Sequence, residues 1–279
     1  MTISKTKSIL SLSLFAVLFV FLFTGCKKDD DDDKDIVLAE ETYDLKTKDA
    51  LGVSGTVTFY KRSSSTTIEI TLSGITSGNH PAHIHVNSAI ESGGIALTLN
   101  PVNAQGISVT SVSKLDDNTS VTYEQLIAFN GYINVHQSAN NLGVIIAQGD
   151  IGGNKLTGAS ENYSLTEFNT SGVSGQVRFE KRKNNNTLVS ISLNGTLSGE
   201  THPAQILLGD VTTVGGGQVV LDLNNINGST GKSITNVYVL KNGTPIKYDD
   251  WVVYDGYLNV YESIINSTTI ISQGNIGEL

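Results

Sequence analysis

The alternation of apolar and polar positions is the strongest pattern in this chain, and it has the period of a β-strand. In SGTVTFYK, Val57 and Phe59 fall on one face. In TTIEITLSG, Ile68, Ile70 and Leu72 share a face, with polar residues between them. In YINVHQ, Ile133 and Val135 face one way and Tyr132, Asn134 and His136 the other. Such period-2 runs, rich in β-branched residues and bounded by Gly, Asn and Ser, predict short half-buried strands. A helical period is nearly absent. The stretch SVTYEQLIAFNG (Ser120 to Gly131) carries it weakly, enough for one or two turns before a strand at Tyr132. Many short strands with turn signals between them predict an all-β fold of antiparallel β-sandwich type, with Greek-key-like connections.

The same pattern occurs twice. GVSGTVTFYKR from Gly52 returns as GVSGQVRFEKR from Gly172. NHPAHIHV returns as THPAQILL, with His80 matching His202. GGIALTLN, ending at Asn100, returns as GGQVVLDLN, ending at Asn224; NGYINVHQS returns as DGYLNVYES, and AQGDIG as SQGNIG. Order is kept and the offset drifts slowly, as expected of a duplicated domain with short loop insertions. Each copy is too long for a solenoid repeat and of ordinary domain size. The expected units are 37–153 and 157–279, with GGNKLTGAS (Gly152 to Ser160) as the linker.

The N-terminus belongs to neither copy. Lys5 and Lys7 precede an apolar run from Ile9 to Phe23, then Thr24-Gly25-Cys26. The run is too short for a membrane span and resembles a bacterial lipoprotein signal over residues 1–25, with Cys26 as the lipidated first residue of the mature chain. Phe23 stands where such signals usually carry leucine. Cys26 is the only cysteine, which excludes an internal disulfide. The run KKDDDDDKD (Lys27 to Asp35) repels itself and stays solvated. It makes residues 26–36 an acidic tether and resembles the surface-export signal of Bacteroidetes-type lipoproteins. Together these features imply an outer-membrane lipoprotein, held by the lipid on Cys26 and exposed at the cell surface.

The formal net charge of −9 argues against nucleic acid, whose phosphates require a basic surface. Charged residues at 16% and aromatics at 7% are a globular composition. G-x-S-x-G, P-loop, H-E-x-x-H and C-x-x-C motifs are all missing. The acidic pairs Asp116-Asp117 and Asp249-Asp250 read as loop charge, with too few oxygens for a calcium cage. Trp251 and Tyr254 open a strand-like run and read as core packing ahead of a sugar platform.

Chemistry gathers at HPAHIH. The chain has 5 histidines, and His80, His83 and His85 lie within these six residues. His83 and His85 are two apart, so on a strand they share a face. Two such imidazoles can converge on one transition metal, copper or zinc, if a third comes from elsewhere. His136 is the candidate, with His80 as a further one. Structural use is the competing reading, because a buried histidine can satisfy both nitrogens on carbonyls or Asn. The second copy separates the residues. His83 becomes Gln205, His85 becomes Leu207 and His136 becomes Tyr261, while His80 persists as His202. Any metal site is therefore the trio His83, His85 and His136, and only the first copy carries it.

GxVxF, the strand ending LSG, HxxHIH, the GG-led strand and the closing GYINVHQSANNLGVIIAQGDIG resemble the CHRD domain, the module named for chordin and found in many bacterial secreted proteins. The resemblance is clear in the first copy and eroded in the second, and Val144 and Ile145 depart from the family's charged ending. It implies a fold and an extracellular location more than an activity: a non-enzymatic binding or structural module, with its ligand or protein partner open. A fainter likeness is to copper–zinc superoxide dismutases, where a glycine-rich turn leads to HGFHxH and a late V-V-H strand adds a ligand. It implies copper at His83, His85 and His136. The remaining dismutase parts are lacking, since the chain has neither the extra histidines nor the disulfide. A carbohydrate- or polymer-binding accessory protein is the third reading, supported by anchor and architecture alone.

Overall fold

The structure is a computed structural model that describes residues 36–50, 52–75 and 77–278. The signal-like segment, Cys26 and the acidic run to Asp35 lie outside the described residues. Among the described residues, sixteen strands and two short helices make up the fold. The first half contains β1 (Ala39–Thr47), β2 (Ser54–Lys61), β3 (Thr66–Ser73), β4 (His80–Val86), β5 (Ile95–Val102), β6 (Ile107–Val112), α1 (Tyr123–Ala128), β7 (Asn130–Ser138) and β8 (Asn141–Gly152). The second contains β9 (Leu156–Glu167), β10 (Ser174–Arg182), β11 (Thr187–Asn194), β12 (Thr201–Leu208), β13 (Val219–Asn227), β14 (Lys232–Val237), α2 (Tyr248–Val252), β15 (Gly256–Tyr261) and β16 (Ile270–Ile276). Among the described residues no helix is long and apolar enough to cross a membrane.

The all-β, antiparallel expectation holds, and the structure refines it. Each half is one eight-stranded sheet rolled on itself, where the sequence suggested two facing sheets. The first runs β5-β4-β7-β8-β1-β2-β3-β6, and the second is the closed barrel β10-β11-β14-β13-β12-β15-β16-β9. Matched strand for strand, the two orders are identical. In the second half the edge strands β13 and β14 pair at Asn227 and Lys232 and close the barrel; in the first, β5 and β6 come side by side without a ladder and side chains tie them. At the seam between β5 and β6, Asn100 Nδ2 donates to the Val109 carbonyl at 2.7 Å, Asn100 N donates to Thr110 Oγ1, and Ser108 Oγ donates to the Asn100 carbonyl. Asn224 repeats all three bonds with Ile234, Thr235 and Ser233.

The period-2 faces are where they were expected. Val57, Phe59, Ile68, Ile70, Leu72, Ile133 and Val135 all point into the first core. Helix α1 forms where the weak helical period lay. Thr122 caps it by accepting from Gln125 N, and Gln125 Oε1 returns the bond to Thr122 N. Two expectations shift. Residues 156–160, read as linker, already belong to β9. Trp251 is not in a strand: it lies buried in α2, and β15 starts only at Gly256. Asp250 accepts from the Lys247 amide at 2.9 Å, and Asp249 and Asp250 both sit in the first helical turn, where carboxylates are favoured.

The halves meet through a buried cation. Arg182, 0% exposed, donates from Nη1 to Asp150 Oδ2 at 2.8 Å and to the Asn154 carbonyl at 2.6 Å. Asn184 reaches Asn130 and Asn154, and Lys183 pairs with Glu41 at 2.9 Å.

Candidate metal centre

Strand β4 alternates cleanly. Ala82 and Ile84 turn into the core, so His83 and His85 share the opposite face. The pairing with β7 aligns His83 with Asn134 and His85 with Tyr132, and Ile133 and Val135 take the core side of that strand. His136 thus reaches the same outer face, diagonal to His83. The rings of His83 and His136 are 5.2 Å apart, and those of His83 and His85 are 6.0 Å apart. One nitrogen from each of the three lies within 4.8 Å of the others. A tetrahedral site with bonds near 2.05 Å needs about 3.4 Å between nitrogens.

Main-chain carbonyls, one in the loop before β5 and one at the start of β8, decide which nitrogen each ring presents. His85 Nδ1 meets the Gly93 carbonyl at 2.9 Å, and His136 Nδ1 meets that of Leu142 at 2.7 Å. A carbonyl only accepts, so each Nδ1 carries its proton and each Nε2 keeps a lone pair. His85 Nε2 is buried without a protein partner, and so is Nδ1 of His83. Metal-ligating histidines commonly donate their other ring N–H to a carbonyl, which fixes the tautomer and the orientation of the ring. Tyr132 stacks on His85 at 4.8 Å between ring centroids, and its hydroxyl accepts from Gly93 N at 3.1 Å. Only glycine fits at 93, because a Cβ there would lie 2.2 Å from the Val86 carbonyl oxygen.

Burial holds His83 below the ordinary histidine value, with His136 and His85 adding to the effect and Asp116 opposing it. Burial lowers His136 as well; the bond to Leu142 opposes that shift and His85 reinforces it. Both shifts favour the neutral imidazole, the form that binds metal. His80 stands apart from the trio. It lies on the core side of β4, with Nδ1 3.2 Å from the His136 carbonyl and Nε2 2.9 Å from that of Ser77. It is a brace for the strand carrying His136.

The acidic pairs are structural. Asp116 accepts from the Thr98 amide and hydroxyl, at 3.0 and 2.8 Å, beside the histidine face. Asp249 pairs with Lys181 at 2.7 Å. Tyr254 is half-buried and packs against Gly256 and Trp251, its ring 4.7 Å from that of Trp251 between centroids, in keeping with core packing. The supporting groups escaped the sequence because they are main-chain carbonyls, which no residue type marks. Tyr132 was legible as a neighbour on the His136 face; its stacking on His85 depends on the β4–β7 register.

Residues 38–148 match the CHRD domain. That span runs from the residue before β1 into β8 and contains all three histidines. Comparison with curated proteins finds no match. The CHRD domain points to a binding or structural module and is not a known enzyme family.

Proposed function

We propose that the CHRD barrel is a transition-metal-binding module, taking copper or zinc on His83, His85 and His136. The observation that carries this reading is the convergence of three imidazoles, two of them oriented by main-chain carbonyls. Three nitrogen ligands suit both ions and leave a fourth position open. The order of the histidines resembles that of copper ligands in copper–zinc superoxide dismutases, which makes copper the first ion to test. We take the protein to be non-enzymatic, and to act at the cell surface through the lipid on Cys26 and the acidic tether; the second barrel is a tandem relative that has lost the site.

Calorimetric titration of the purified chain with Cu(II) and with Zn(II) tests the metal. One equivalent should bind to the wild type and none to His83→Ala/His85→Ala. Binding weaker than about 1 mM, or equal binding by the variant, removes the reading. Protease shaving of intact cells tests the location: the protein should be cleaved, and protection would place it inside the envelope.

A further inference from the structure

The second barrel has a different opening, at the end where β12 begins with His202-Pro203-Ala204. A cavity of about 310 Å³ lies there, lined by His202, Glu200, Glu262, Val173, Leu197 and Ile271 among others. His202 is 2% exposed, and its Nδ1 is 2.6 Å from the Glu262 carbonyl. That nitrogen is therefore the protonated one, and Nε2 is an acceptor. Nε2 is buried and has no protein partner. In the first barrel the equivalent nitrogen of His80 meets the Ser77 carbonyl at 2.9 Å. In the second, Ser229 holds the equivalent turn, through Ser198 Oγ at 3.0 Å and the Gly199 amide at 3.1 Å. The turn supplies no carbonyl to His202. A buried acceptor left unpaired costs free energy unless a donor reaches it.

The lining limits the donor's chemistry. Glu200 and Glu262 form no ion pair among the described residues, and no lysine or arginine lines the cavity. Two carboxylates and one buried acceptor ask for a cationic donor. Val173, Leu197 and Ile271 offer aliphatic walls. No Phe, Tyr or Trp lines the cavity, which disfavours a sugar.

We propose that this cavity binds a primary alkylammonium ligand, its charged nitrogen between His202 Nε2 and the two glutamates and its short aliphatic chain against Val173, Leu197 and Ile271. The proposal is independent of the metal site. The test uses 1,5-diaminopentane on the metal-free full chain, followed by calorimetry and by the ¹⁵N resonances of the imidazoles. Binding tighter than about 1 mM is expected, with a shift of the His202 Nε2 resonance. Glu200→Gln/Glu262→Gln, which alters two exposed side chains, should weaken it by about tenfold or more, as should replacing the ligand by 1,5-pentanediol. Binding that is indifferent to these changes, binding of the diol alone, or a His202 resonance unmoved at tens of millimolar amine (about 50 mM) would overturn the proposal.

Discussion

The two barrels share strand order, seam and much of their register, yet their outer faces at β4–β7 and β12–β15 hold different chemistry. His83 and Gln205 occupy equivalent places, since the first pairs with Thr98 and Asn134 and the second with Asp222 and Asn259. In the second barrel Gln205 donates to Asp222 at 2.7 Å, and Asp222 also holds Lys241 at 2.7 Å. A closed polar network thus stands where the first barrel exposes lone pairs to one another. Tyr257 keeps the place and bond of Tyr132, with its hydroxyl 2.8 Å from Gly217 N. The glycine–tyrosine contact therefore belongs to the fold, and the histidines are an addition to it. Three lone pairs held face to face do not stabilise a metal-free barrel, and the scaffold does without them in its second copy. That contrast makes a ligand the better account of the trio.

The contact between the barrels gives the second contrast. Asp150 and Asn275 are equivalent, and each accepts one loop amide, from Ala89 at 2.8 Å and from Val211 at 2.9 Å. Asp150 uses its other oxygen for Arg182. The charge difference between these residues follows from what lies beside them. Removing the carboxylate leaves a fully buried guanidinium with only the Asn154 carbonyl. Asp150→Ala should therefore cost about 3 kcal/mol or more in urea unfolding. Arg182→Met removes the charge together with its burial and should cost less. Asn275→Ala loses one neutral bond, about 1 kcal/mol. Equal losses for Asp150→Ala and Asn275→Ala would break the comparison.

Installing the second barrel's residues in the first sharpens the contrast at the histidine face. His83→Gln/His85→Leu/His136→Tyr should fold and lose metal affinity by about 100-fold or more, worth about 2.7 kcal/mol. Calorimetry checks the affinity and circular dichroism the fold. A folded triple variant with undiminished binding would place the metal elsewhere. The seam should respond alike in both halves. Asn100→Ala and Asn224→Ala each remove one side-chain bond of the same kind, and each should lower stability by about 1 kcal/mol. A large difference between them would show that the shared strand order conceals unequal closure.

The smallest expected effect is in pH. The native values of His83 and His136 lie below the unfolded value of about 6.5, so the unfolded chain binds more protons between them. The stability of the metal-free barrel is fully present above that value and is lost as pH falls through the depressed native values. Urea midpoints in chelator at pH 7.5 and pH 5, about neutral and about one and a half units below the reference, should fall further for the wild type than for the triple variant. Parallel curves would mean that the imidazoles are no harder to protonate than free histidine.

Much of this was legible beforehand. Alternation placed Val57, Phe59, Ile133 and Val135 inside, because a strand's period of two leaves no choice of face once one side is buried. The i, i+2 spacing of His83 and His85, with His136 on a strand of its own, was enough to name the trio. The carbonyls of Gly93 and Leu142 were not legible, since every residue carries a carbonyl and only the folded path of the chain selects one. The Arg182–Asp150 pair was hidden for a related reason: it joins the equivalents of two repeat positions across copies, so comparing the copies with each other points away from it. Helix α2 was misread because Trp251 and its apolar neighbours fit either period over so few residues.

Asn100 and Asn224 carry one further consequence. Each fastens the place where a rolled sheet would otherwise present bare strand edges, and those edges are the templates on which other strands add. With the two seams tied, the edges that face each other in each half are less open to a strand from a neighbouring molecule. Copies packed at high density should remain separate molecules.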